Sequence, residues 1–319
     1  MEHFCTLFDI GFLPQGMALH TSLQRHAKPF VLWVLCMDEA VEDALKRLAL
    51  KDVRLISLRD IETPALLAIK SGRSRAEYCW TLTPFLPQAV MDRDASAERV
   101  TYVDADCWFI NDPHLILKEM DDAKKDVLIT PHGYLSEHDQ SKTNGRFCVQ
   151  FVPFRKTSAG LEVLSWWQER CLEWCFAKAE NGLFGDQKYL DQWPQLFPHA
   201  VHILGNTQLT LAPWNAARYG DVQDIAQTGC MYHFHGLRIF RGWLICLSLG
   251  WDYYLPSNIL KVFYWSYLKD LGKGKRRALK VGIKGRFPSA DTEWNVYIRL
   301  KDLACRMIKN KGRIWRRVW

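Results

Sequence analysis

The sequence predicts an α/β protein built on a Rossmann-like mixed sheet flanked by helices. The first half of the chain alternates β-rich runs with segments of helical periodicity, as strands joined by helices do. The chain has 319 residues, of which 48% are hydrophobic, enough to bury a large core. We expect the α/β domain to occupy residues 1–255 and a basic, mostly helical extension to occupy residues 256–319.

The first predicted elements alternate in type. Short runs rich in Val, Leu, Ile and aromatic residues predict strands at Phe4–Phe8, Phe30–Cys36 and Val53–Leu58. Apolar residues at helical spacing predict helices at Gly16–His26 and Glu39–Leu50.

The middle of the chain repeats this alternation with longer elements. A helical pattern covers Glu77–Met91, where two internal prolines predict a kink or a division. Strands are predicted at Val100–Val103, Asp126–Thr130 and Phe147–Phe154. The segment Thr157–Glu180 predicts a long amphipathic helix, because apolar side chains recur along one stripe of it.

The remaining predicted elements are shorter. Residues 185–203 predict a short helix, a loop bounded by prolines and a strand near Val201. A last strand is predicted at Met231–His235, and beyond Pro256 the pattern is helical and increasingly basic.

The sharpest motif lies where the strand Val100–Val103 runs directly into Asp104-Ala105-Asp106. Two carboxylates two residues apart, at the carboxyl end of a strand, can converge on one divalent cation. Oxygen ligands of this kind suit Mg²⁺ or Mn²⁺, which would bridge the oxygens of a diphosphate. The alternative is a turn with two exposed aspartates, and we favour the metal site because of the strand that precedes it.

A second motif, Tyr232–Gly236, contains two histidines. Imidazole can complete a coordination sphere that two carboxylates begin. His233 is therefore a candidate third ligand, with a hydrogen-bonded core histidine as the equal alternative, and the core role also fits His235.

A third motif, Phe184–Leu190, contains Gly185-Asp186-Gln187. Glycine followed by aspartate can begin a helix, with the carboxylate capping free backbone N–H groups. The functional alternative places Asp186 or Gln187 at the floor of a ligand pocket.

Taken together, these motifs resemble family 8 of the retaining glycosyltransferases, the group that contains glycogenin and bacterial lipopolysaccharide galactosyl- and glucosyltransferases. The resemblance covers residues 4–241. The family's four motifs occur here in its order, as the strand Cys5–Asp9, the DxD of Asp104–Asp106, the GDQ of Gly185–Gln187 and the HxxG of His233–Gly236. Runs such as SRAEYCWTLTP and FGDQKYLDQWP are similar to a bacterial branch associated with surface-polysaccharide synthesis.

The resemblance implies a GT-A type nucleotide-diphospho-sugar transferase fold and a metal-dependent enzyme. Such an enzyme would move a hexose from a nucleotide sugar, with UDP the favoured nucleotide, to a glycan or lipid-linked acceptor. The implied cofactor is Mn²⁺ or Mg²⁺. Transfer would retain the configuration of the anomeric carbon, and the resemblance leaves double displacement and front-face attack both open.

Roles for individual residues follow from the same resemblance. Asp104, Asp106 and His233 correspond to the metal ligands, and Asp186 and Gln187 correspond to the catalytic pair beside the donor sugar. Thr6, Asp9 and Phe12 correspond to positions around the base and ribose, and Phe12 would stack on the base. The donor-binding positions are Thr6, Asp9, Phe12, Arg75, Asp104, Gln150, Gly236 and Arg238.

Two positions depart from the family's pattern. Where the family has a lysine after the HxxG motif, this chain has Ile239, so Arg238 or Arg241 would have to hold the diphosphate. The family's NSG stretch is replaced by Arg146–Gln150, which leaves the donor sugar open and makes Gln150 the candidate for its polar contact.

Two other functions share a nucleotide-binding α/β fold. A sugar nucleotidyltransferase needs a Gly-rich, basic loop after the first strand, whereas the loop Asp9–Gly16 has no Lys or Arg. A non-catalytic nucleotide- or glycan-binding protein remains an alternative, because the ending of the HxxG motif is altered.

Cysteine placement and the start of the chain predict a cytoplasmic location. The ten cysteines include no CxxC pair, and several lie in apolar stretches, so we expect reduced thiols and neither disulfides nor zinc. The N-terminal segment lacks the basic start and the apolar run of a signal peptide. No apolar run approaches the length that crosses a bilayer.

Charge is distributed unevenly along the chain. The net charge is +7, and residues 269–319 alone hold sixteen Lys or Arg against four Asp or Glu. This composition, mixed with Trp, fits peripheral docking on the anionic inner face of the cell membrane, with a solvated tail as the alternative. No nucleic-acid motif accompanies the charge, and we expect no nucleic-acid partner.

Overall fold

A central eight-stranded sheet organises the fold. The computed structural model describes residues 1–220, 222–239, 244–248, 253, 255–283 and 315–317. The strands are β1 (Glu2–Phe8), β2 (Phe30–Cys36), β3 (Val53–Ser57), β4 (Arg99–Val103), β5 (Cys107–Phe109), β6 (Val127–Pro131), β7 (Phe147–Cys148), β8 (Phe151–Arg155), β9 (Val201–Ile203), β10 (Thr210–Leu211), β11 (Met231–His233), β12 (Arg238–Ile239), β13 (Leu244–Cys246) and β14 (Trp315–Arg317).

Helices connect most of these strands. The α-helices are α1 (Leu13–His26), α2 (Glu39–Leu48), α3 (Pro64–Lys70), α4 (Arg75–Leu82), α5 (Phe85–Arg93), α6 (His114–Asp122), α7 (Ser141–Asn144), α8 (Ser158–Glu173), α9 (Trp193–Leu196), α10 (Val222–Thr228), α11 (Ser257–Ile259) and α12 (Trp265–Lys280). A π-helical turn, Leu260–Tyr264, joins α11 to α12.

The order of the strands in the central sheet is β3-β2-β1-β4-β8-β6-β7, and β9 pairs with β6. The strands β1 to β4 are parallel, whereas β8 runs antiparallel to both β4 and β6. This mixed sheet with its flanking helices confirms the predicted α/β class. Because β1 and β4 are parallel neighbours, with Cys5 paired to Tyr102, their carboxyl ends meet at one edge of the sheet.

Helices cover both faces of the sheet. On one face, Phe4 and Phe8 of β1 pack with α1 and with the C-terminal helices. On the other face, Cys5 and Leu7 pack with α5 and α8. The side chains of a strand alternate between its two faces, so a strand that is covered on both sides has an almost continuous apolar sequence.

Local side-chain contacts determine where the helices near the sheet edge begin. The Asp38 carboxylate accepts a hydrogen bond from the backbone nitrogen of Val41 at 2.8 Å and so caps α2. Ser74 and Glu77 form a capping box at the start of α4. The helical pattern predicted through this region is divided into α4 and α5 at Pro84, as its prolines indicated.

Two predicted elements differ from the structure. The predicted strand Phe147–Phe154 is divided into β7 and β8 by a turn. The helix predicted over Thr157–Glu180 stops earlier, at the end of α8. The guanidinium of Arg73 explains this end, because it donates hydrogen bonds to the carbonyl oxygens of Leu172 and Cys175 at 2.9 and 2.8 Å, which a longer helix would use itself.

A second, three-stranded sheet contains an element that the sequence analysis did not identify. Its order is β10-β11-β5, and β5 begins directly after the Asp104–Asp106 turn. β11 runs antiparallel to β5 and places His233 opposite Cys107. A three-residue strand is too short for a hydrophobic period to be visible in the sequence.

The described part of the C-terminal extension packs into the main core. Tyr267 and Leu271 of α12 are fully buried in the same hydrophobic cluster as α1 and one face of β1. The buried carboxylate of Asp270 forms an ion pair with Arg25 at 2.7 Å and accepts a hydrogen bond from the Trp108 indole at 3.0 Å. Residues on either side of the predicted boundary after residue 255 therefore share one core.

Two further features concern the lengths of the helices and the state of the cysteines. No helix among the described residues combines the length and the apolar character that a bilayer crossing requires. The nine cysteines within the described part of the chain all have free thiols. Most of the basic tail, residues 284–314 and 318–319, lies outside the described residues.

Replacing Asp270 by Asn should lower the free energy of unfolding by about 2 kcal/mol, because Arg25 and the Trp108 indole lose an anionic partner that is largely buried. Burial alone would raise the pKa of Asp270, but the hydrogen bonds from Arg25 and Trp108 outweigh burial and lower it. The Asp270 carboxylate therefore makes its whole contribution to the free energy of unfolding at neutral pH. This contribution is lost as the pH falls through the depressed pKa. Urea unfolding at several pH values measures both effects.

The matched control is Asp122→Asn, which removes one partner of the exposed Lys118–Asp122 pair. This variant should differ from the wild type by less than about 0.5 kcal/mol. Equal stability of the wild type and Asp270→Asn at neutral pH would show that the ion pair does not anchor α12.

Candidate active site

Three candidate metal ligands meet at the carboxyl edge of the central sheet. Asp104 and Asp106 follow β4, and a hydrogen bond from the Cys107 nitrogen to the Asp104 carbonyl, at 3.0 Å, closes the turn between them. His233 ends β11, which pairs with β5 beside that turn. One potential ligand atom from each of the three residues lies within 4.8 Å of the others.

The spacing of these atoms fits a divalent cation. Nε2 of His233 lies 3.2 Å from Oδ1 of Asp106 and 3.8 Å from Oδ2 of Asp104. Adjacent ligands of an octahedral Mg²⁺ or Mn²⁺ are about 3 Å apart, since each bond is about 2.1 Å long. Small side-chain movements would therefore close the three groups around an ion, and the predicted ligand set is brought together.

Burial and the charges of their neighbours shift the pKa values of Asp104, Asp106 and His233. Burial raises the pKa of Asp104 to about 6. Burial alone would also raise the pKa of Asp106, but the His233 imidazolium and its hydrogen bond outweigh burial and hold that pKa well below its usual range. Burial alone would lower the pKa of His233, but the Asp106 carboxylate raises it well above the ordinary value. The His233 imidazolium thus balances part of the negative charge of Asp104 and Asp106. A bound cation would balance that charge in its place.

Two buried side chains contact these candidate ligands. The Tyr102 hydroxyl donates a hydrogen bond to Oδ1 of Asp104 at 2.9 Å. Nδ1 of His233 lies 3.0 Å from Oε1 of Gln150, and donates to it when Nδ1 carries the hydrogen, which leaves Nε2 facing the carboxylates. Gln150 is fully buried and does not line the cavity, so the structure places this predicted donor contact behind His233.

The three ligands line a cavity of about 360 Å³, within the range of small-molecule sites. One end of it holds Asp9, Phe12, Arg75 and Arg238. The Asp9 carboxylate accepts hydrogen bonds from the backbone nitrogens of Gly11 and Phe12, at 2.8 and 3.2 Å. Its other oxygen lies 2.8 Å from Nε of Arg75.

Arg238 lies at the same end of the cavity. Its guanidinium is 5.3 Å from the centre of the Phe12 ring. It is also close enough to Asp106 to help lower the pKa of that carboxyl. Arg241, the alternative candidate for the missing lysine, lies outside the described residues.

The GDQ segment forms the floor of the cavity. Gly185 has a φ of +52°, a conformation that favours glycine, and a β-carbon there would contact the Trp80 ring at 3.4 Å. Asp186 is buried and lines the cavity, and burial, followed by the nearby charge of Asp104, raises its pKa to about 8. The Gln187 amide donates to the carbonyl oxygen of Asn144 at 2.7 Å.

Besides Gln150, two further predicted donor-binding residues do not line the cavity. Thr6 is fully buried within β1, on the face that carries Phe4 and Phe8. Gly236 turns the chain between His233 and Arg238 with a φ of +78°. Gly236 therefore shapes the backbone of the HxxG motif. A contact with a ligand stays a prediction for Thr6 and for Gly236.

The cavity also contains side chains that the sequence analysis did not assign. Tyr102 was detectable in principle, because it precedes Asp104 by two residues on one strand. Four aromatic or imidazole side chains among the others come from separate segments and share no sequence pattern with the motifs; they are His132, Tyr134, Trp214 and Tyr253.

Comparison with known proteins identifies relatives in one bacterium. No family model matches the chain. The chain is 34% identical over 248 residues to the uncharacterized protein YfnF of Bacillus subtilis strain 168, covering 74% of this chain and 82% of YfnF. It is 30% identical over 282 residues to the uncharacterized protein YfnD of the same strain, covering 84% of this chain and 88% of YfnD. The chain belongs to the family that these two proteins represent.

Several solved structures show a partial likeness in shape. Mouse xyloside xylosyltransferase 1 has a TM-score of 0.47 and 17% identity, covering 73% of this chain and 97% of that protein. The galactosyltransferase LgtC has a TM-score of 0.48 and 12% identity, covering 92% and 98% of the two chains. The glycosyltransferase GlyE of Streptococcus pneumoniae TIGR4 has a TM-score of 0.47 and 16% identity, covering 90% and 65%.

Replacing Tyr102 by Phe should weaken the binding of Mn²⁺ by about tenfold, because Asp104 loses the hydrogen bond that orients it as a ligand. Isothermal titration of the purified protein with Mn²⁺ measures the change. The control is Thr101→Val on the same strand, which replaces a buried hydroxyl that makes no hydrogen bond with a methyl group of similar size. Equal Mn²⁺ affinity of the Tyr102→Phe variant and the wild type would contradict the assigned role of Tyr102.

Proposed function

We propose that this protein is a metal-dependent, retaining glycosyltransferase with a GT-A type fold. In this proposal it moves a hexose from a UDP-sugar to a glycan or lipid-linked acceptor in surface-polysaccharide synthesis. The observation that carries the proposal is the meeting of Asp104, Asp106 and His233 in one cavity at the carboxyl edge of parallel strands. Open α/β sheets bind nucleotides at this edge.

The metal and the diphosphate would lie at the centre of the cavity. Asp104, Asp106 and His233 would hold Mn²⁺ or Mg²⁺, which supplies positive charge beside the leaving diphosphate. Arg238 has the position and the charge to bind the phosphates as well. It would take over the role of the lysine that the family has at the position of Ile239 here.

The nucleoside would occupy the end of the cavity next to β1. Phe12 offers a ring for stacking on the base, with Arg238 on one side of it. Arg75 and Asp9 hold each other in an ion pair, so both side chains are fixed where a base and a ribose would be recognised. A fixed pair of opposite charges favours a ligand that carries both hydrogen-bond donors and hydrogen-bond acceptors.

The donor sugar would lie over the GDQ floor, beside Asp186 and Gln187. In the transfer, the bond between the anomeric carbon and the diphosphate oxygen breaks, and a hydroxyl oxygen of the acceptor forms the new bond to that carbon. The proton of this hydroxyl passes to the leaving diphosphate or to water. Burial and the charge of Asp104 raise the pKa of Asp186 to about 8, and in its protonated form this carboxyl can donate a hydrogen bond to the sugar. A protonated carboxyl is a poor nucleophile, so with Asp186 in this form transfer would take the front-face route, which needs no enzyme nucleophile.

Incubation with Mn²⁺ and a panel of nucleotide sugars tests the proposal. Release of nucleoside diphosphate from one donor, and its loss when Mn²⁺ is chelated, is the expected result. Asp106→Asn should reduce this release at least a hundredfold, because an amide is a poor ligand for Mn²⁺. Asp186→Asn should keep at least a tenth of the activity, since an amide also donates a hydrogen bond.

The same assay distinguishes the alternatives. Arg238→Ala should raise the half-saturating donor concentration about tenfold, whereas Arg218→Ala, an exposed residue that does not line the cavity, should not change it. A non-catalytic binder would be stabilised by a nucleotide without turning it over. Release of pyrophosphate from a sugar phosphate and a nucleoside triphosphate would indicate a nucleotidyltransferase.

We also propose that the C-terminal segment places the enzyme on an anionic membrane surface, where a lipid-linked acceptor would be found. Lys261, Lys269, Arg276 and Lys280 are exposed on the outer side of the C-terminal helices. Trp265 is 50% exposed between them, with the Lys269 ammonium 5.9 Å from its ring. Cations beside an exposed tryptophan suit the headgroup region of a bilayer.

Vesicle flotation tests this docking. Deletion of residues 269–319 is unsuitable, because it would remove buried core residues of α12 such as Leu271. Combined Lys269→Gln, Arg276→Gln and Lys280→Gln should at least halve the fraction bound to vesicles that contain phosphatidylglycerol, since three near-surface cations are lost. A triple control removes the same charge from other exposed positions, at Lys51, Lys118 and Lys178. Equal flotation of the two triple variants would refute the docking surface.

A further inference from the structure

One side of the cavity has no role in the proposed binding of the donor. It is formed by aromatic and imidazole rings, here called the aromatic wall, which come from the segments after β6, β10, β11 and β13. The members of the aromatic wall are His132, Tyr134, Trp214, His235 and Tyr253.

The rings of the aromatic wall are packed on one another. The Tyr134 ring stacks on the His132 ring, with centroids 4.5 Å apart and planes inclined by 10°. Trp214 lies at the centre of the group, 5.3 Å from the His132 ring and 6.1 Å from the Tyr253 ring. Tyr134 is half-buried, whereas Trp214 and Tyr253 are buried, so Tyr134 offers most of the accessible ring surface among these three.

Hydrogen bonds fix this arrangement. The carbonyl oxygen of His132 accepts from the Trp214 indole and from the Asn215 amide, both at 2.8 Å. Gly133 follows with a φ of +60°, which allows the chain to turn between the stacked rings. A ligand would therefore meet a preformed surface, and little ordering of side chains would oppose its binding.

The aromatic wall differs in charge from the donor end of the cavity. Arg75, Arg238 and Asp9 carry formal charges at the donor end. Burial lowers the pKa of His132 to about 3, so its imidazole is neutral at physiological pH. Cys148 packs with Trp214 and Tyr253 and adds an uncharged thiol, and Asn144, beside Gln187, adds an uncharged amide to the lining of the cavity. Among the described residues that line this side, none offers an ionised partner to a phosphate or carboxylate group.

We propose that the aromatic wall binds a neutral pyranose ring of the acceptor, with one face of that sugar on the face of Tyr134 that is opposite His132. This inference rests on the proposed glycosyltransferase function. The C–H groups on one face of a pyranose form an apolar surface that packs well on the negative face of an aromatic ring. The surrounding uncharged polar groups can bond the hydroxyl groups at the edge of the sugar.

The position of the aromatic wall supports the acceptor and not the donor as its ligand. The Trp214 ring lies 5.4 Å from the ring of His233, so a sugar on the wall lies next to the metal ligands. The donor sugar would occupy the GDQ floor, which comes from a different segment and is lined by Trp80 and Phe184. An acceptor hydroxyl between these two surfaces is placed beside the anomeric carbon.

Saturation-transfer NMR with p-nitrophenyl glycosides tests this inference without requiring turnover. Neutral hexosides and the corresponding uronides are titrated into the protein with UDP and Mn²⁺ present. We expect neutral hexosides to bind and uronides to bind more weakly, because the wall lacks a cation for the carboxylate. Tyr134→Leu should raise the dissociation constant of the best hexoside about tenfold, and by a larger factor than it raises that of UDP.

Two further variants separate stacking from structural damage. Tyr134→Phe keeps the ring and should bind the hexoside within about twofold of the wild type. Tyr219→Leu makes the same exchange at a half-buried tyrosine that does not line the cavity, and should bind as the wild type does. Equal hexoside affinity of Tyr134→Leu and the wild type, stronger binding of uronides, or no binding of any neutral hexoside would overturn the inference.

The donor assay described above reports on the proposed function separately. If nucleoside diphosphate is released but the glycosides behave alike in all variants, the aromatic wall is not the acceptor site and the enzyme class stands. If the hexosides bind as expected but no donor is turned over, the wall is a sugar-binding surface and the proposed transferase function fails.

Discussion

The site depends on one constraint: two carboxylates and an imidazole must be held close together inside a buried, poorly solvated region. Close carboxylates repel each other, and burial opposes their charge, so the fold has to impose their separation. The antiparallel pairing of β5 with β11 does this by placing His233 beside the turn that carries Asp104 and Asp106. The parallel strands β1 and β4 bring the same turn to the edge where the cavity opens.

The supports of this turn extend through much of the chain. Tyr102 of β4 and Gln150, in the turn between β7 and β8, contact the candidate ligands. On the far side of β5, the Trp108 indole is bonded to Asp270 of α12, so the C-terminal helix stabilises the strand that follows the two aspartates. The helix is therefore part of the structure that holds the site, although its sequence suggested a separate basic extension.

The sequence predicted strands, helices and motifs best where the pattern that indicates them lies within a few neighbouring residues. The strands β1 and β2 and the helix α2 lie close to their predicted positions, because each has a clear apolar period or a capping residue. The Asp104–Asp106 motif was recognisable because a strand leads directly into it. Prediction was weakest for β5, for the division between β7 and β8, and for the end of α8. In α8 the deciding contact is made by Arg73, about a hundred residues away in sequence.

By itself, the sequence determined the α/β class, the order of the motifs and the identity of the three candidate metal ligands, since these depend on local periodicity and residue chemistry. Only the tertiary structure decided that Gln150 lies behind His233, that Thr6 is enclosed within the sheet, and that Tyr134 and Trp214 share the cavity with the candidate metal ligands. The physical reason is that burial and long-range contact arise from how strands pair and helices pack. No single segment contains that information.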